Sequence, residues 1–190
     1  TQGTLVNLAP YRGQETEVEI PLSLSQLQNG VNTFRFDSNV TAGPGQGNDT
    51  SVDIPFYNTA SGADVTGMGF YQSGAFAQAT TNVPAISLML KKQNGEWDTV
   101  RQYQDGRVGS VVVGLFADNG QTYHIQSALN AGDLSTYTEA KLVALVHVGG
   151  NVRPVRDPQE LLPDVAAPVE LKVAVNGGDE AAYDITGLLG

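Results

Sequence analysis

Five runs of this chain alternate apolar and polar residues with a period of two. In Glu15-Thr16-Glu17-Val18-Glu19-Ile20, Val18 and Ile20 fall on one side and Glu17 and Glu19 on the other. Phe34 and Phe36 flank Arg35, and Val52, Ile54 and Phe56 repeat the spacing. Ile86, Leu88 and Leu90 alternate with Ser87, Met89 and Lys91; Val169, Leu171, Val173 and Val175 alternate with Glu170, Lys172 and Ala174. Side chains two apart share a face of a strand, so each run offers one face to a core and one to solvent. Val111–Phe116 and Leu142–Val148 are more continuously apolar and read as central strands buried on both faces.

The punctuation between these runs is of hairpin type. Asn94-Gly95 separates 85–92 from 97–103, and Asn119-Gly120 separates 108–117 from 121–126. Asn176-Gly177-Gly178-Asp179 separates 169–175 from 182–186. Asn-Gly accepts positive φ at both central positions, which the right-handed twist of the flanking strands demands of a two-residue turn. Helical signals are brief. Asp157-Pro158 opens one short turn of helix that Pro163 ends, and Ser23–Gln28 and Asp133–Ala140 are each long enough for a short helix only. About nine to eleven strands at sandwich-like intervals predict an all-β fold, an antiparallel two-sheet jelly roll or Greek-key sandwich with one or two very short helices.

With 190 residues, one domain spanning 1–190 is expected. Such a chain buries roughly 70% of its unfolded surface. Thr41–Thr50, with its Ala-Gly-Pro-Gly-Gln-Gly-Asn-Asp core, reads as a flexible loop. Residues 149–168 hold four of the nine prolines and read as an irregular arm reaching a neighbouring subunit.

Charge narrows the partners. Ten basic residues face 20 acidic ones, a net charge of −10, and only four of the bases are Lys. That balance repels phosphate backbones and anionic membrane surfaces. It fits either ordinary solubility or a surface adapted to high salt. Cysteine is absent, so disulfide scaffolds and thiolate metal sites are excluded. No apolar run approaches the ~20 residues of a membrane-spanning helix. The chain begins at Thr1, which leaves initiator-Met removal and precursor cleavage both open.

Motifs that carry chemistry are sparse. His124 and His147 are the two histidines, both in strands, with no Gly-x-Ser-x-Gly elbow and no His-x-His or His-Glu-x-x-His spacing. Gly43-Pro44-Gly45-Gln46-Gly47 lacks the Lys-Ser/Thr ending and following helix of a phosphate loop. Asp49 and Asp53, beside Asn48 and Thr50, offer oxygen ligands for a cation, but their spacing is not that of an EF-hand and Asp and Asn also serve turns. Tyr57, Tyr71, Trp97 and Tyr103 are either sugar-stacking platforms or sheet packing. Asn39-Val40-Thr41 and Asn48-Asp49-Thr50 are glycosylation sequons, relevant only to an exported chain. No catalytic, cofactor-binding or metal residue is assigned, and no cofactor is expected.

In size, acidity and strand layout the whole chain resembles the small major capsid protein of sphaerolipovirus-type viruses, icosahedral viruses of halophilic archaea with an internal membrane. The resemblance implies a single jelly roll standing vertically in a capsid. It further implies a homo-oligomer with a second capsid protein of similar fold, a membrane beneath the shell, no direct contact with nucleic acid, and location in the virion. Two other readings stay open. One is an extracellular filament subunit or adhesin that donates the strand Thr4-Leu5-Val6-Asn7-Leu8 to a neighbour. The other is a carbohydrate-binding module.

Overall fold

The computed structural model describes residues 6–7, 15–40, 50–72, 74–104, 111–118, 121–150, 169–185 and 188. In chain order the strands are β1 (Val6–Asn7), β2 (Thr16–Leu22), β3 (Val31–Ser38), β4 (Thr50–Asn58), β5 (Gly69–Gln72), β6 (Ala75–Gln78) and β7 (Asn82–Pro84). They continue as β8 (Ile86–Lys92), β9 (Trp97–Val100), β10 (Val111–Asp118), β11 (Gln121–Asn130), β12 (Tyr137–Gly150), β13 (Glu170–Val175) and β14 (Glu180–Asp184). All the pairings are antiparallel. The chain is therefore an all-β sandwich, as the alternation predicts.

Hydrogen bonding follows one path, β14-β13-β3-β11-β10-β4-β12-β8-β9. The first layer is β14-β13-β3-β11, with the β5–β6 hairpin on the second edge of β11. The second layer is β4-β12-β8-β9, with β2 along the far edge of β12. β10 pairs with both β11 and β4 and joins the two layers. β4 and β12 run together at Asp53↔His147 and then fork. Ala85, fully buried, fills the fork: its N–H donates to Pro55 O at 2.8 Å and its carbonyl accepts from Leu145 N at 3.1 Å.

The alternating runs face inward as their pattern requires. Phe34, Phe36, Ile125, Leu171 and Val173 from the first layer meet Ile54, Phe56, Leu88 and Leu142 from the second in one apolar cluster. Burying a side chain of this size contributes about 1.5–3 kcal/mol. Glu17, Glu19 and Arg35 stay exposed on the opposite faces.

Several expectations need correction. There are more strands than the turn signals imply, because β1, β5, β6 and β7 span only two to four residues and carry no alternation. Asp133–Ala140 is not one helix: a single 3-10 turn covers Leu134–Thr136, capped by Asp133, and β12 begins at Tyr137. The turn at Ser23 is a 3-10 turn over Leu24–Gln26, closed by a capping box between Ser23 and Gln26. β12 runs through Gly150, so residues 149–150 belong to a strand paired with Ser51 and Thr50 rather than to the arm. β10 has neighbours on both edges but unequal faces: Val113 and Leu115 are buried, whereas Phe116 is half-buried and stacks on Tyr123 at 4.2 Å. Of the predicted loop 41–50, Thr50 opens β4 instead; the rest of that loop (41–49), the turn residues 119–120 and the remainder of the arm (151–168), with its helical turn at 157–162, lie outside the described residues.

All three hairpins form. Lys91↔Trp97, Asp118↔Gln121 and Ala174↔Glu180 are the registered pairs nearest the three Asn-Gly sites. Asn176 takes φ 51° in the last turn, a conformation Asn tolerates better than other residues with a Cβ.

Candidate functional site

Each histidine faces an aspartate across a pair of strands, one pair on each layer. The first pair lies on the outer face of β3 and β11. Phe34 and Phe36 point inward, so Arg35 and Asp37 point outward. The Asp37 side chain is nevertheless only 5% exposed. Arg35 Nε approaches its Oδ2 to 2.7 Å with the N–H off the line to the oxygen, a charge contact rather than an aligned hydrogen bond. On the neighbouring strand His124 Nδ1 lies 4.0 Å from Asp37 Oδ1. Neither atom makes a hydrogen bond. The imidazole instead stacks on Tyr71 of β5, at 4.1 Å between centroids and 24° between planes, and Phe76 of β6 packs on Tyr71 at 4.8 Å.

Electrostatics follow from this burial. Desolvation raises the Asp37 carboxyl above its ordinary value, Arg35 pulls it back, and Glu180 adds to the rise. Desolvation pushes His124 down to about 4, helped by the Arg35 charge and opposed by a Thr122 backbone bond. At neutral pH the site therefore holds a neutral imidazole. With its pKa pushed down and no hydrogen bond to the Asp37 carboxylate, this imidazole is a weak base.

The second pair is registered directly. His147 on β12 opposes Asp53 on β4, with Nδ1 to Oδ2 at 3.4 Å and both side chains largely buried. Gly114 opposes Asp53 on its other edge, where a Cβ would come within 3.2 Å of Oδ1. The Asp53 carboxylate thus lies between an imidazole on its β12 side and the space left by a glycine on its β10 side. Asp49, its companion in the cation reading, lies outside the described residues, and among those described no group of three or more His, Asp or Glu could hold a metal ion.

The aromatic candidates separate. Tyr57 is 2% exposed and packs edge-on against Tyr103 at 5.8 Å, over Ala85 and Leu145. Tyr103 exchanges a 3.1 Å hydrogen bond with Ser87. Tyr57 and Tyr103 therefore cap the fork between β4 and β12 and are not platforms. Tyr71 is engaged by His124. Trp97, half-buried on β9, has Lys141 Nζ 4.9 Å and Lys91 Nζ 5.7 Å from its ring. Those ammonium groups pair in turn with Glu19 and Glu139. Asn39 of the first sequon is woven into the sheet, its Oδ1 accepting from Glu170 N at 2.8 Å. Within the strand proposed for donation, Val6 and Asn7 pair with Val112 and Val111 of the same chain.

Sequence reasoning passed over Asp37. In Phe34-Arg35-Phe36-Asp37 the aspartate reads as an ordinary solvent-side residue of an alternating strand. Its i, i+2 spacing from Arg35 was the one available signal, and it specifies a shared face but not what covers that face.

No protein-family model, curated protein or solved structure matches this chain.

Proposed function

We propose that this chain is a non-catalytic structural subunit of a viral capsid, a jelly-roll sandwich that assembles with copies of itself and with a second capsid protein. The observation that carries the reading is the open strand path. A closed barrel has no edge, whereas among the described residues this path ends at β14 and β9, and four of the five residues of β14 are exposed. Edges of that kind are where sandwiches meet neighbours. Two largely buried outer-face carboxylates fit the same reading, because each is engaged by a neighbouring base: Asp37 by Arg35 and Asp53 by His147.

The net charge of −10 fits a virion of saline habitat, with no direct hold on nucleic acid and any membrane lying beneath the shell. At about 1 M salt the screening length shrinks to roughly 3 Å, so repulsion between acidic subunits fades. Light-scattering mass after size exclusion, in low and in multimolar salt, tests the proposal. Large or defined assemblies at high salt are expected. A compact monomer at both salts with an unchanged circular-dichroism spectrum overturns it.

A further inference from the structure

The two ends of the strand path differ in charge. Along the β13–β14 hairpin, residues 170–184, Glu170, Asp179, Glu180 and Asp184 face one cation, Lys172, so four carboxylates less one ammonium leave −3. Glu180, Ala181, Ala182 and Asp184 are all exposed, and the two alanines put no bulk in the way of an approaching strand. At the other end, Lys91, Lys92, Lys141 and Arg101 stand on or beside β9, against Glu19, Glu96, Asp98, Asp133 and Glu139, four cations to five carboxylates, a nearly balanced end of −1. Three of the chain's four lysines stand there. In a chain of net −10, an acidic edge meets least repulsion at such a nearly balanced end.

The nearly balanced end also carries an anchor. Trp97 is the only tryptophan, and tryptophan is the residue type that most often dominates protein contacts. Its two ammonium neighbours pair with the exposed carboxylates of Glu19 and Glu139. Ion pairs open to solvent on the carboxylate side are screened and hold little energy, so the half-buried Lys91 and Lys141 can exchange partners at small cost.

We propose that the β14 edge of one copy docks against the β9 end of the next, with Glu180 and Asp184 meeting the lysines that bracket Trp97. The contact is head-to-tail, joining unlike surfaces, and so generates a ring or a continuing array rather than an isolated pair. Ion pairs at contact distance outlast screening that removes repulsion over longer range, so the contact persists at high salt. This inference rests on the assembly reading and names the surface that reading uses.

Charge exchange between copies tests it under the salt condition in which the wild-type chain associates. Glu180→Lys/Asp184→Lys and Lys91→Glu/Lys141→Glu are each expected to raise the concentration of half-association at least tenfold, and an equimolar mixture of the two to restore it. Ala182→Arg, a steric block at an exposed position, is expected to give the same loss without touching the lysine pairs, should the lysine variant fold poorly. Association of the wild-type chain should also shift Trp97 emission to the blue. Wild-type association of Ala182→Arg, or Trp97 emission unchanged through assembly, overturns the β14–β9 contact while leaving the assembly reading standing. A wild-type chain that stays monomeric at every salt overturns both.

Discussion

His124 makes the sharpest single-residue demand on the fold. An exposed imidazole takes its proton near pH 6.5, but in the folded chain His124 does so only at about 4. Between those values the unfolded chain binds a proton that the native one refuses, so stability falls as pH drops through that window. Asp37 works in the opposite sense, since its raised pKa lets the native state take up a proton before the unfolded one does. Arg35 lowers that pKa and so opposes the rise. The urea midpoint should therefore decline between pH 6.5 and 4.5, and His124→Gln should flatten that decline. An unchanged slope in His124→Gln would remove His124 as its source. In the core, Phe36→Ala should cost about 3–5 kcal/mol in chemical denaturation, since the ring is fully buried between the layers.

At the scale of elements, two hairpins depend on single residues for reasons their turn chemistry does not display. Asn176 does more than supply a positive φ. Its Nδ2 donates to Gln26 O at 3.0 Å and to Asn32 Oδ1 at 2.8 Å, and its Oδ1 accepts from Thr33 N at 2.9 Å. Asn32 is fully buried and also bonds Gln28 and Gly30. The side chain thus ties the β13–β14 turn to the start of β3 and to the 3-10 turn before it. Asn176→Gly keeps the backbone conformation and loses only these bonds, which are exposed or part-buried, so it should cost about 0.5–1.5 kcal/mol, the net worth of an ordinary hydrogen bond. Asn176→Ala should cost more, because it adds the strain of positive φ. Near-equal midpoints for the two variants would show that the bonds alone matter. In the β5–β6 hairpin, a Cβ on Gly69 would sit 2.1 Å from the Ala77 carbonyl oxygen. Gly69→Ala must therefore displace β6 backbone and should destabilise by roughly 1–3 kcal/mol or more, read by the same denaturation.

These elements also mark how far the sequence could be read. Alternation exposed the inward faces of β3, β4, β8 and β13, because a period of two is local. Asn-Gly placed three turns for the same reason. The Asn176 ties to Gln26 and Asn32 were illegible, since each joins residues more than 140 positions apart. β5, β6 and β7 were missed because short strands fixed by a neighbour's edge need no pattern of their own. The histidine–aspartate pairs were hidden likewise: His147 was legible as a sheet histidine, but its registration with Asp53 depends on which strands become neighbours.

For the whole molecule, charge sets the terms. Twenty carboxylates against ten cations mean that self-repulsion opposes the compact state, even though individual pairs such as Lys92–Asp98 and Lys91–Glu139 are made. Solvent-screened pairs of this kind hold little energy and cannot offset the field of the excess acids. Added salt should therefore stabilise the monomer before any assembly occurs. Thermal unfolding at a protein concentration below association should show a midpoint that climbs most steeply at low salt. It should then level off as the screening length falls from about 10 Å at 0.1 M towards 3 Å at 1 M. Replacing exposed Glu17, which has no lysine partner among the described contacts, with Gln should raise the low-salt midpoint and leave the high-salt midpoint unchanged. A midpoint independent of salt would mean that the carboxylates are neutralised locally, and the driving force for high-salt assembly would then have to come from apolar contact at the edges instead.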